Sequence, residues 1–175
     1  MEPRQWLFEK AKETWPEIRG SVAELTDWYW RAVAAAIHPD EQVLAFLIGL
    51  SQAGKPWGIV TNGGPDQRSK ARAAGFEAML PFMVSSEESG YRKPDPRICQ
   101  EAMKRLGEVP ITSTLFVGDQ AEADIVGAQA VGILTAWVRR GRLYPSSLLA
   151  PDYQIDHVSE LGPLLLGQRR ISAGC

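Results

Sequence analysis

From about residue 55 onward the chain alternates short apolar runs with stretches of helical length, and this alternation narrows the fold more than any other feature. Trp57 to Thr61 reads as a short buried strand, Pro65 to Ala74 as a helix closed by Gly75, and 82–85 as a weaker second strand. Residues 96–106 read as a helix with Ile98, Cys99, Ala102, Met103 and Leu106 on one side and Gly107 at its end. A strand at 114–118, a helix at 121–131 closed by Gly132, and a strand at 133–138 follow. Residues 153–158 suit a last strand, with a short helix around 161–166. Short apolar strands alternating with helices of ten to twelve residues predict an α/β fold, a parallel sheet with helices on both faces.

The first fifty residues read differently, as helix throughout. Ser21 and Glu24 have capping-box spacing ahead of an apolar run through Ala36. Pro39-Asp40-Glu41 opens a second helix carrying Val43, Leu44, Leu47 and Leu50, with Gly54 past its end. Four of the six tryptophans, Trp6, Trp15, Trp28 and Trp30, fall in the first thirty residues. Neighbours on a helix point in different directions, so packing is the expected role of Trp28, Tyr29 and Trp30.

Composition sets the outer limits. Apolar types make up 45% of 175 residues, charged types 23%, and the net charge is −2, the profile of one globular domain. That balance gives no footprint for a nucleic acid or an anionic membrane surface. The apolar run from Val43 to Ile48 is far short of the roughly 20 residues a membrane helix needs. With no signal-peptide core in MEPRQWLFEKAKE, a cytoplasmic protein without nucleic-acid or membrane partners is expected. Cys99 reads as a small buried hydrophobe and Cys175 as a frayed last residue, since no metal-knuckle spacing occurs.

In a parallel sheet, ligands bind at the carboxyl ends of the strands, and three polar groups fall there. Thr61 ends a strand and runs into Asn62-Gly63-Gly64, a turn that opens a helix. Backbone N–H groups at such a start bind anions, and a threonine hydroxyl can donate to a phosphoryl oxygen, although a simple turn reads the same way. Asp119 ends the Leu115–Gly118 strand and Asp124 follows five residues later. Two carboxylates so spaced can hold Mg²⁺ in a mostly water-filled shell, or can cap the next helix. Lys93 sits in Arg92-Lys93-Pro94-Asp95-Pro96, a stiff turn presenting an ammonium either to a phosphoryl group or to solvent.

Val60-Thr61-Asn62-Gly63, the 92–96 run and the 117–124 run VGDQAEAD, in this order, resemble the haloacid dehalogenase-like hydrolase superfamily. The resemblance covers about residues 40–140 and implies a Rossmann-like core at 39–175 behind a partial helical cap at 1–38. It implies that Thr61 and Lys93 are catalytic, and that Thr61, Asn62, Gly63 and Lys93 hold the transferring phosphoryl group. It also implies that Asp119 and Asp124 support Mg²⁺, and Gly118-Asp119 points to the Mg²⁺ phosphatase branch, with a small phosphorylated substrate, rather than to dehalogenases.

One family feature is missing, an apolar strand ending in Asp-x-Asp that supplies the nucleophile and the general acid–base. Asp27 lies in a helical context and Asp40 at a helix start, and neither has an acidic residue two positions on. Without that motif Mg²⁺ affinity is expected to be weak or absent, and the chain is expected to be N-terminally truncated and inactive, or else a non-catalytic binding or assembly protein. A receiver-type phosphoacceptor domain is excluded by the order Thr61, Lys93, Asp119.

The missing strand would lie between those ending at Thr61 and at Asp119. Burying about five apolar side chains contributes roughly 1.5–3 kcal/mol each, which rivals the whole stability of a domain, about 5–15 kcal/mol. So the two strands pair directly, another segment or chain fills the slot, or the chain is part of a longer product. An unfilled slot also favours a homo-oligomer through its open edges. His38, before a proline at a helix start, and His157, in a late strand, have no partner in sequence and do not read as ligands; the Arg139–Arg142 loop reads as solvated, although its arginines could attract an anionic substrate.

Overall fold

The computed structural model describes residues 3–64 and 66–167. Pro65, Arg169, Arg170 and Cys175 lie outside them. Three helices come first, α1 (Pro3–Thr14), α2 (Val22–Ala36) and α3 (Glu41–Gln52). The expected capping box starts α2: the Glu24 N–H donates to Ser21 Oγ at 3.2 Å and the Ser21 N–H to Glu24 Oε2 at 2.7 Å. Asp40 caps α3 by accepting from the N–H groups of Gln42 and Val43.

The alternating part follows as β1 (Ile59–Thr61), α4 (Asp66–Ala73), β2 (Met83–Ser85), α5 (Ser86–Ser89) and α6 (Pro96–Leu106). It continues with β3 (Leu115–Gly118), α7 (Val126–Gln129), β4 (Leu134–Val138), β5 (Tyr153–Ile155) and α8 (Gly162–Leu165). All strand pairs are parallel. Among the described residues no single helix is long and apolar enough to cross a membrane.

The strands do not form one sheet. β1 pairs with β2, and β3, β4 and β5 pair in that order, as two separate parallel sheets. Of the three ways to accommodate a missing strand, direct pairing of β1 with β3 is not the one adopted. Burial follows the split. β1 and β3, the strands flanking the gap, are half-buried along their whole length, whereas β2 is buried throughout. In an unbroken sheet with helices on both faces the central strands are the most buried; here β1 and β3 are only half-buried.

Helices hold the two sheets in register. On one face Val60 of β1 and Phe116 of β3 pack against a core of Val84, Ile98, Cys99, Ala102, Ala128 and Ile133, contributed largely by α6 and α7. On the other face Leu115 and Val117 alternate to meet Phe46 and Leu50 of α3. Cys99 is buried as expected, and burial pushes its thiol up to about 11. Gly127 on α7 abuts the loop after Lys93 so closely that a Cβ there would sit 2.9 Å from the Pro94 carbonyl oxygen.

Two local expectations change. The predicted helix at 121–131 begins with a π-turn at 121–125 and is α-helical only over Val126–Gln129. The last strand stops at Ile155 and leaves His157 outside it, because His157 caps a 3₁₀ turn at 158–161. His157 finds a partner in the fold that the sequence did not show: its Nε2 lies 3.1 Å from Asp40 Oδ2, at the start of α3.

Lys93 bridges the gap between the sheets. Its ammonium donates to the Val60 carbonyl oxygen of β1 at 2.8 Å and pairs with Asp124 Oδ1 at 2.8 Å, with side-chain exposures of 11% and 8%. Removing one member of a buried pair strands a desolvated charge and costs about 3–5 kcal/mol. In urea denaturation Lys93→Met should lose about that much, and Lys93→Met with Asp124→Leu should lose less than the sum of the single changes; additive losses would mean the pair is not a unit. Asp95 gives a pH test. The Arg97 guanidinium and N–H pull its carboxyl from 3.8 down to about 2. A depressed carboxyl stabilises fully above its unfolded value and loses that effect as pH falls toward its folded value. Asp95→Ala should therefore be less stable than wild type at neutral pH, with the gap closing between about 3.8 and 2.

Candidate functional site

Thr61, Lys93 and Asp124 converge at the carboxyl ends of β1 and β3. Thr61 closes β1, and its hydroxyl donates to Gln67 Oε1 on α4 at 3.1 Å. Lys93 is held from both ends. The Asn62 side chain donates from Nδ2 to the Lys93 carbonyl at 3.1 Å and accepts from the Lys93 N–H at 2.8 Å. The bridge to Val60 and Asp124 fixes the ammonium. Asn62 thus spends both polar ends of its amide on the lysine backbone, a clamp across 31 residues of sequence.

The Gly63–Gly64 turn is lined from outside by residues that the sequence reading passed over. The Gly63 N–H donates to Ser86 Oγ at 3.0 Å, and the Glu87 N–H donates to the Gly63 carbonyl at 3.2 Å. Neither glycine has room for a side chain: a Cβ at Gly63 would meet Gln67 at 2.5 Å, and one at Gly64 would strike the Glu87 carboxylate. Gln67, Ser86 and Glu87 carry no motif spacing, so only the fold brings them here. A cleft of about 390 Å³ opens beside them, lined by Gly64, Arg68, Ser85 and Glu87 among others.

The two carboxylates of the 117–124 run have separate surroundings. The π-turn lets Asp124 fold back, so that its Oδ2 accepts the Gln120 N–H at 3.0 Å while its Oδ1 meets Lys93. Gly118 leaves the room for this, since a Cβ there would overlap Asp124. Asp124 therefore does part of a capping residue's work, at Gln120. Asp119 instead faces outward, 37% exposed, toward Arg140 and Arg142. It borders a cleft of about 370 Å³ that Glu122, Trp137 and Arg142 also line.

No cluster of three or more His, Cys, Asp or Glu side chains suited to a metal occurs among the described residues. Mg²⁺ needs fewer protein ligands, because it takes one or two carboxylates together with substrate phosphate oxygens and water. Asp119 and Asp124, on either side of Gln120, match that oxygen chemistry in kind. Each already faces a cation of the chain's own, Asp124 the Lys93 ammonium and Asp119 two guanidinium groups. Chemically, then, the ammonium, the Thr61 hydroxyl and the backbone amides before α4 suit an anionic group such as a phosphoryl, and the two carboxylates suit a cation.

Comparison with known proteins gives the family. The chain is 35% identical over 132 residues to the glyceraldehyde 3-phosphate phosphatase of Methanopyrus kandleri, across 73% of this chain and 56% of that protein. It is 29% identical over 160 residues to the phosphoserine phosphatase of Thermus thermophilus, across 90% of this chain and 63% of that protein. Among solved structures, a 2-haloacid dehalogenase from Pseudomonas syringae pv. tomato shares 31% identity with a TM-score of 0.61, over 72% of this chain and 52% of the other. The chain thus spans between half and two thirds of the length of these three relatives. A family match over residues 2–132 takes in Thr61, Lys93, Asp119 and Asp124 together, and the chain belongs to the haloacid dehalogenase-like hydrolases.

Proposed function

We propose that this chain is the phosphate-handling part of a Mg²⁺-dependent phosphatase acting on a small phosphorylated metabolite. The observation that carries the reading is the Lys93 ammonium, buried beside the carboxyl end of β1 and fixed by the Val60 carbonyl and Asp124. In this reading Thr61 turns its hydroxyl from Gln67 to a phosphoryl oxygen, and the amides of Asn62 and Gly63 add donors at the same oxygens. Lys93 neutralises the charge gathering on the transferring group, and Asn62 keeps it in place. Asp119 and Asp124 would hold Mg²⁺, which when bound supplies electrostatic stabilisation of that charge. Helices α1 and α2 form the partial cap, with 39–175 as the core; α2 meets the core at α4, where the Lys70 ammonium lies 4.8 Å from the Trp30 ring. Phosphatase names among the relatives favour a small phosphorylated substrate, and Gly118-Asp119 with Asp124 favours the phosphatase over the dehalogenase branch.

Transfer through an aspartyl intermediate also needs an attacking carboxylate and its proton carrier. No Asp-x-Asp occurs in the 175 residues, and Asp124, the carboxylate paired with Lys93, is already occupied by it. The proposal therefore includes a strand, absent from this chain, that fills the gap and brings the nucleophile. The alternative is a non-catalytic member that binds or assembles, including a homo-oligomer joined through the open edges. It is favoured by the internal pairing of Thr61 with Gln67 and of Gly63 with Ser86.

Hydrolysis of p-nitrophenyl phosphate with Mg²⁺ separates the two. This chain should show background turnover, and a version extended upstream by an apolar strand ending in Asp-x-Asp should turn over, with Lys93→Ala costing at least about 100-fold in the extended form. An inactive extended chain favours the non-catalytic member. Turnover by the present chain that Asp119→Ala abolishes would mean that the nucleophile is already present.

A further inference from the structure

We propose that Arg140 and Arg142 form a guanidinium clasp over Asp119, an internal counter-cation that a divalent ion has to displace. The inference rests on reading Asp119 as a cation ligand, and goes beyond it by naming what regulates access to that carboxylate. Both arginines lie outside residues 2–132, the span of the family match.

The backbone is the first observation. Arg140 is the one non-glycine residue among those described with a positive φ, at 48°, and Gly141 follows at 73°. A side chain in the left-handed region costs roughly 1–2 kcal/mol, and glycine at 140 would make the same turn without that cost. The chain carries arginine there nonetheless, and two successive residues with positive φ turn it so that Arg140 and Arg142 both reach Asp119 at the end of β3.

The second observation is the division of labour among the three arginines of this turn. Arg139 is drawn aside by Asp156, which it meets through Nε at 2.9 Å and a terminal nitrogen at 2.5 Å. Arg142 is braced in the other direction. It donates to the Asp119 carbonyl oxygen at 2.5 Å and lies 5.8 Å from the Trp137 ring, whose indole N–H donates to that same carbonyl at 3.1 Å. That leaves the Asp119 carboxylate with Arg140 Nε and an Arg142 terminal nitrogen, each 3.5 Å from Oδ2.

Those distances say what kind of contact it is. Tight charge-assisted pairs sit at about 2.7–2.9 Å, so at 3.5 Å two guanidinium groups neutralise one oxygen without locking it. The side chains are 70% and 49% exposed, so water screens the pairs and each is weak. Two positive charges beside one carboxylate repel an approaching dication, and a weak, exposed pairing is one that a dication can displace. A clasp of this kind lowers cation affinity by a modest factor that shrinks as salt rises.

The test is Mn²⁺ binding to the purified chain, read by the loss of the free-ion electron paramagnetic resonance signal. At low salt, Arg140→Gln should tighten binding and Arg140→Gln with Arg142→Gln should tighten it about three- to tenfold in all, with the gain shrinking at high salt. Arg140→Lys, which keeps the charge, should stay near wild type. If all forms bind alike while Asp119→Asn abolishes uptake, the clasp is wrong and the reading of Asp119 as a ligand survives. If no form takes up Mn²⁺, the double arginine variant included, the clasp is wrong, because relieving it opens no cation site; the reading of Asp119 as a ligand is then decided by Asp119→Asn in the upstream-extended chain. Circular dichroism of each variant excludes unfolding as the cause of a loss.

Discussion

A single lysine ammonium joins two parallel sheets that share no backbone hydrogen bond. β1 pairs only with β2, and on the side where the missing strand would lie Lys93 takes the Val60 carbonyl and Asp124 together. An orphaned carbonyl near the core is costly, and a lysine without a carboxylate there would be costlier. Each group makes the other tolerable. The bridge is held in turn by Asn62 on the lysine backbone and by Gly127, whose missing side chain lets α7 lie against Pro94.

The same gap explains why structure and chemistry meet at this spot. In a complete α/β sheet the central strands are sealed on both faces and at both edges, and only their carboxyl ends meet solvent. Here β1 and β3 stay half-buried along their length, and Lys93 lies beside both, on the Val60 carbonyl and 5.7 Å from the Phe116 ring. Helices tie the two sheets together: α6 and α7 carry one core across both, and α3 and α8 close the other face. A strand inserted between β1 and β3 would lie beside Lys93. Asp119 stands apart from that lysine, its charge balanced by arginines on a turn distant in sequence.

Much of this was legible in the residues. Pro96 to Leu106 forms the expected helix because Asp95, a proline at the first position and Gly107 mark its ends in sequence. The capping box at Ser21 and the apolar strand before Gly118 are equally local. Less was legible where a side chain's partner is remote. Nothing in the sequence pairs the Asn62 side chain with the Lys93 backbone, 31 residues away. His157 shows no partner in sequence and is paired with Asp40, 117 residues earlier. The π-turn at 121–125 has no signature in the apolar pattern, which it shares with an ordinary helix.

By itself the sequence determined the order of strands and helices, the parallel class of sheet, and which residue types stand at the strand ends, because periodicity and caps act within one turn or one strand. It also carried the absence of an Asp-x-Asp strand and hence the place where the sheet would be short. Only the tertiary structure decided that the sheet divides rather than closing, that Lys93 spans the division, and that Asp119 faces guanidinium groups and not Lys93. Those outcomes depend on which desolvated polar atoms find partners across long sequence separations, and spacing along a chain does not encode them.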